Sequence, residues 1–220
     1  MTFVSTGFSN LDQMIAGDSD CKGFPRGGVS LLVGGTGSGK TTVLKKICDR
    51  AHDRGLSVLW IDPFGLNRAK YRVVDSVQSV SDLAHLMSRL LHPGNQKNRA
   101  DLIVIDDACS FTTELNGPIA ERAKALSSMF HGNLGKTAIV ISVQPRGRVL
   151  GTAREYDYPV ALGYQSRLTL GISKNGDLYD LKLIKSVMNH AGVSCTINPG
   201  ALVDRSKIPT RYERILRGRN

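Results

Sequence analysis

The sequence predicts an α/β fold: a mainly parallel central sheet flanked by helices, with antiparallel hairpin strands at the C-terminal edge. Three observations lead there. Short, wholly apolar runs alternate with segments of helical period, as expected when helices cover both faces of a sheet. A glycine-rich loop, Gly34-x4-Gly39-Lys40-Thr41, separates the first such run from the first such helix. Near the C-terminal end, Asn175-Gly176 joins two strand-like runs, which favours a type I′ hairpin.

The elements follow in order. "VSLLVGG" (29–35) reads as a buried parallel strand entering the loop, and a helix follows from near Lys40 to about Arg54. "LSVLWID" (56–62), ended by Pro63, is the second strand. Leu83, Leu86, Met87, Leu90 and Leu91 recur at helical spacing until Pro93-Gly94 stops them, a core-facing stripe. "DLIVIDD" (101–107) and "TAIVISVQ" (137–144) are two more buried strands, with a helical segment around 119–130 between them. "RLTLGIS" and "LYDLKLIK" form the antiparallel edge, and "VSCTINPG" supplies one more short strand. Residues 1–200 make a single domain. Residues 201–220, with six Arg or Lys against one Asp and one Glu, make a basic arm or a solvated terminal helix.

Composition narrows the function. At 220 residues the chain accommodates one well-buried core. No run approaches the ~20 apolar residues of a membrane span, and the first residues lack the pattern of an export signal. Four cysteines are scattered singly, as reduced thiols in a cytoplasm would be, and five histidines are equally dispersed, so no structural metal is expected. The net charge of +10 makes nucleic acid the first partner to consider, through release of counterions from a polyanion.

The loop carries the chemistry. Gly34, Gly35, Thr36, Gly37, Ser38 and Gly39 let backbone N–H groups turn toward phosphates, with Lys40, Thr41 and Thr42 opening the helix. Lys40 is placed to meet the β and γ oxygens of ATP, and the Thr41 hydroxyl to meet Mg²⁺. Asp106, after the apolar run 102–105, offers a carboxylate for the same ion from the end of a strand expected beside the loop strand.

The residues preceding the loop, "STGFSNLDQMIAG" and "GFPRGGVSLLVGG", resemble the entry to the RecA/RadA superfamily core, where T-G-x-x-x-L-D leads through a G-[IL]-P-x-G turn into the first core strand. Thr6, Gly7, Leu11, Asp12, Gly23 and Pro25 fit it, and the likeness extends over roughly residues 5–200. It implies a RecA-like P-loop ATPase that binds single-stranded DNA and assembles with copies of itself as a filament or ring. By the same resemblance, Gln144 senses the γ-phosphate and leads into a second DNA loop, "PRGRVLGTAREYDY", whose Arg146, Arg148 and Arg154 are the candidate DNA contacts, with Tyr156 and Tyr158 as potential stacking groups. Tyr164 falls on the return strand, and "ACSFTTELNGP" after Asp107 on the first DNA loop. Lys185 matches a family residue that reaches a neighbouring subunit's nucleotide, while Val187 replaces a second basic residue there.

One departure bears on turnover. The family's catalytic glutamate falls at Phe64 in "WIDPFG", and a phenyl ring accepts no proton. Asp107, directly after the Mg²⁺ aspartate, is then the candidate base, and slow DNA-dependent hydrolysis is expected. With the motif region beginning at residue 5, the chain resembles the core-only recombinases of bacteriophages, which would place it in the host cytoplasm. The resulting reading is an ATP-dependent recombinase or strand-annealing protein of DNA recombination and repair. Two alternatives stand beside it: a hexameric helicase or packaging motor, with Arg154 or Arg167 as its arginine finger, and a hydrolysis-deficient, nucleotide-gated regulator or scaffold.

Overall fold

Runs in which every side chain is apolar can be buried only if both faces of their sheet are covered. The computed structural model, which describes residues 2–65, 69–77, 79–92, 99–108, 135–144, 166–186 and 191–200, satisfies that condition with helices on opposite faces. In order, the elements are β1 (Phe3–Val4), α1 (Ser9–Ala16), β2 (Phe24–Pro25), β3 (Gly28–Val33), α2 (Lys40–Asp53), β4 (Val58–Ile61), β5 (Arg72–Val74), α3 (Val80–Leu91), β6 (Leu102–Ile105), β7 (Ala138–Val143), β8 (Leu168–Asn175), β9 (Leu178–Ser186) and β10 (Ser194–Ile197). β1 and β2 form a small antiparallel pair; the rest make an eight-stranded sheet ordered β10-β9-β8-β3-β7-β6-β4-β5.

Alternation along each strand sorts the core into two layers. Leu32, Trp60, Val140 and Leu170 face α1 and α2, meeting Leu11, Ile15, Leu44 and Ile47. Leu31, Leu59, Ile103 and Ile141 face the other way, meeting Leu83, Leu86, Met87 and Leu90 of α3. That helix begins where Ser79 and Asp82 cap each other: the Asp82 amide donates to Ser79 Oγ at 3.0 Å, and the Ser79 amide to Asp82 Oδ2 at 3.1 Å.

Two sequence expectations need correction, the strand neighbours and the turn type, and one strand is added. The loop strand β3 and the aspartate strand β6 are not neighbours, because β7 pairs with both. The expected antiparallel hairpin is present as β8 and β9, with β8 also running parallel to β3. The two-residue hairpin turn is Gly176-Asp177, flanked by the pair Asn175↔Leu178; only Gly176, at φ 60°, has positive φ there, the pattern of a type II′ turn. β5, too short to announce itself, adds a parallel strand beside β4. The expected helical segment around 119–130 and the arm 201–220 lie outside the described residues, and no helix among the described residues is long and apolar enough to cross a membrane.

The T-G-x-x-x-L-D segment is an anchor for α2. Asp12 accepts from the Thr6 amide at 2.8 Å and from Ser5 Oγ at 2.5 Å, folding the chain into the start of α1. Arg50, on α2, lies 3.7 Å above the Phe8 ring and donates to the Gly7 carbonyl at 2.7 Å. Gly7 is required at this approach: its φ is 80°, and a Cβ there would fall 2.9 Å from Arg50 Cβ.

Asp12→Ala leaves the buried Thr6 amide without its acceptor. We expect a loss of about 1–3 kcal/mol, the usual cost of an orphaned buried donor, read as a lower urea midpoint at unchanged m-value. A midpoint equal to that of the unaltered chain would show that the anchor contributes nothing.

Candidate nucleotide-binding site

Parallel strands deliver their C-terminal ends to one edge, and the next residue of each strand is where chemistry can stand clear of the core. At that edge β3 runs into the loop 34–39 and then α2. The Ser38 amide donates to the Gly35 carbonyl at 3.2 Å, a tight turn, and Gly39 (φ 89°) caps α2 without any side-chain acceptor. The first N–H groups of α2 therefore have no side-chain cap, the usual preparation for an anion. Gly35 and Gly37 are exposed, with open space where a Cβ would be. The buried Lys40 bends over this loop, its Nζ donating to the Gly34 and Gly35 carbonyls at 2.8 and 2.9 Å.

A second group converges from the other strands. Asp106, only 6% exposed, accepts from Ser142 Oγ at 2.7 Å and hydrogen-bonds the Thr41 hydroxyl. Although β7 intervenes, the loop helix and the aspartate strand thus meet through Thr41. Burial holds the Asp106 pKa above the ordinary carboxylate range, opposed by the Ser142 and Thr41 hydrogen bonds and reinforced by the charges of Asp62 and Asp107. An exposed hydroxyl beside a carboxylate is a donor set suited to a hard cation such as Mg²⁺. Gln144 closes the far side, its Nε2 donating to Thr36 Oγ1 of the loop at 2.5 Å.

Asp107 follows directly and adopts φ 57°, the one non-glycine positive φ among the described residues. Its amide donates to Ser142 Oγ at 2.7 Å, so one serine fixes both aspartates. Ser142 is a participant that sequence reasoning missed, whereas Asp62 is the one acid it offers near Phe64. Ser142 was legible as the lone hydroxyl in "AIVISV", and Asp62 as the residue after Ile61, whose ladder partner Ile105 precedes Asp106. Phe64 stands 57% exposed, while Asp62 is 2% exposed and accepts from the Phe64 amide at 3.1 Å.

Thr42, exposed on the first turn of α2, completes the loop residues brought together here. Lys185 is not brought to this edge. A β-bulge sets it opposite Thr169, which pairs with Leu31 in mid-β3, two strands and roughly 10 Å to the side. Partial burial lowers its ammonium pKa. Arg146, Arg148, Arg154, Tyr156, Tyr158 and Tyr164 lie outside the described residues, as does the first candidate DNA loop from residue 109 onward.

No family model matches the sequence, and no curated protein matches it. Among solved structures, the chain is similar to the crystal structure of the RadB recombinase, with a TM-score of 0.69 at 16% identity, covering 89% of this chain and 96% of that one. The fold is RecA-like.

Asp106→Asn removes the buried charge and keeps an acceptor for Ser142. Without nucleotide or divalent metal, we expect the variant to melt higher by about 2–4 °C, the shift that ~1 kcal/mol produces in a chain of this size, measured by calorimetry. A lower melting temperature would mean that the two hydrogen bonds outweigh the burial cost of the charge.

Proposed function

We propose that the chain is an ATP-dependent, single-stranded-DNA-binding recombinase or strand-annealing protein that hydrolyses ATP slowly. The observation that carries this reading is the convergence of Lys40, Thr41 and Asp106 on one loop, with Gln144 hydrogen-bonded to Thr36 of that loop. The RecA-like fold supports it, as does the likeness to a recombinase.

In this reading the loop amides and Lys40 bind the β and γ phosphates, and Thr41 and Asp106 hold Mg²⁺. The ion, when bound, neutralises charge on the phosphate oxygens. Asp107 is the candidate acceptor for the proton of the attacking water, kept at the strand end by Ser142. Gln144 is the last described residue before the segment 145–165 that contains Arg146, Arg148 and Arg154. A change in its contact with Thr36 when phosphate enters would couple nucleotide state to DNA binding. The position of Lys185, away from its own chain's loop, supports a role toward the nucleotide of a second copy in a homo-oligomer, filament or ring. The exposed Phe64 in place of an acid favours a second reading, a regulator that senses ATP without consuming it.

Phosphate release from ATP, with and without single-stranded DNA, separates the two. We expect slow release, raised by DNA, abolished in Lys40→Ala and lowered about 10²-fold in Asp107→Asn, the usual scale for loss of a general base. Tight ATP binding with no release in either condition would establish the sensor instead.

DNA binding gives an independent check through salt. Each phosphate neutralised on a single strand contributes about −0.7 to the slope of log K against log salt. Replacing Arg146, Arg148 and Arg154 together by Ala should therefore flatten that slope by about 2. An unchanged slope would remove the loop from the interface.

A further inference from the structure

The hairpin formed by β8 and β9 extends past the end of β3, since Gly171 pairs with Val33 and β8 continues to Asn175. Its inner side lies against the phosphate loop at both ends. At the loop's entry, a Cβ on Gly34 would fall 2.7 Å from the Ile172 carbonyl oxygen and 2.8 Å from Ile172 Cγ2. At its exit, a Cβ on Gly39 would land on Tyr179 Cε1 and 2.5 Å from Cδ1. Tyr179 is 8% exposed, is fixed in the ladder opposite Lys174, and belongs to the core layer that includes Leu181 and Leu183. An aromatic ring anchored in the core therefore abuts the last glycine before Lys40.

Glycine alone does not hold a loop in one shape. It visits positive and negative φ with similar ease, and the loop contains Gly34, Gly35, Gly37 and Gly39. Gly37 and Gly39 both stand at positive φ, 74° and 89°. Gly37 has open space around it, whereas Gly39 has the Tyr179 ring on one side and the start of α2 on the other. The direction of the first helix N–H groups, and of Lys40, depends on where Gly39 is held.

We propose that Tyr179 is a positioning residue for nucleotide binding: its ring braces Gly39 and so keeps the loop amides and Lys40 in the arrangement that receives phosphate. The proposal rests on the nucleotide-binding reading of the loop. It assigns to the β8–β9 hairpin, with its exposed tip at Asn175–Leu178, a structural hold on the site from outside the Lys40, Thr41, Asp106 and Gln144 set.

The test uses the full chain with four sequences: unaltered, Tyr179→Phe, Tyr179→Ala and Leu181→Ala. Leu181 is 1% exposed on the same face of β9, two residues farther from the hairpin tip, and controls for simple loss of core packing. Two quantities are read: hydrogen exchange of the segment 35–43 without ligand, and the affinity for MgATP. Tyr179→Ala should speed exchange of that segment and weaken MgATP about tenfold, while Tyr179→Phe, which keeps the ring, behaves as the unaltered chain. Leu181→Ala should lower the melting temperature and leave both quantities unchanged. Unchanged exchange in Tyr179→Ala, or equal acceleration in Leu181→Ala, overturns the proposal. If the unaltered chain binds no MgATP, the nucleotide reading fails, and the exchange comparison still decides whether Tyr179 braces the loop.

Discussion

The site depends on the register of four parallel strands. Val33 pairs with Val143, Ile141 with Ile105, and Ile105 with Ile61, so Ser142, Asp106 and Asp62 fall in one row while Gly34 and Gln144 fall two residues beyond it. Apolar burial alone cannot specify this. Runs such as "LIVI" and "AIVISV" are apolar toward both faces, so a one-residue slip would still bury hydrocarbon on each side. The same slip would carry Asp106 away from Ser142, because side chains alternate faces with each residue. The polar row at the strand ends therefore does what the core cannot, making one register better than its neighbours.

That row is held at a cost. Asp106 stays in a place where burial and two nearby aspartates act against its charge, and only the Ser142 and Thr41 hydrogen bonds favour it. Asp107 adds a left-handed backbone conformation, which costs an L-residue roughly 1–2 kcal/mol. Local conflict of this kind gathers at the strand ends, while within the sheet Ser30 Oγ and Trp60 Nε1 are buried polar atoms without a hydrogen-bond partner among the described residues. Stability there has been exchanged for a carboxylate and a hydroxyl that stand together.

Much of this was legible in the sequence, for physical reasons that also mark where legibility ends. Apolar runs identify the interior strands because each must be buried on both faces, and the glycine pattern with Lys40-Thr41 identifies the loop because few residue types tolerate that backbone. Strand order was not legible: β7 inserts between β3 and β6, and nothing in a run of Val and Ile states its neighbours. β5 is only Arg72–Val74, too short for its alternation to register. Tyr179 reads in sequence as one more alternating core residue, and only the packing places its ring at Gly39.

The acids near the loop differ in what they are already doing. Asp62 is almost fully buried and closes a turn by accepting the Phe64 amide, which fixes its carboxylate to the backbone and turns Phe64 toward solvent. Asp106 is engaged by Ser142 and Thr41. Asp107 is less buried than either, and its backbone amide donates to Ser142 Oγ at 2.7 Å. A carboxylate that must accept a proton from water needs solvent access and a fixed backbone together. The turn after β6 fixes the Asp107 backbone and leaves the residue partly exposed, with its Oδ1 turned inward.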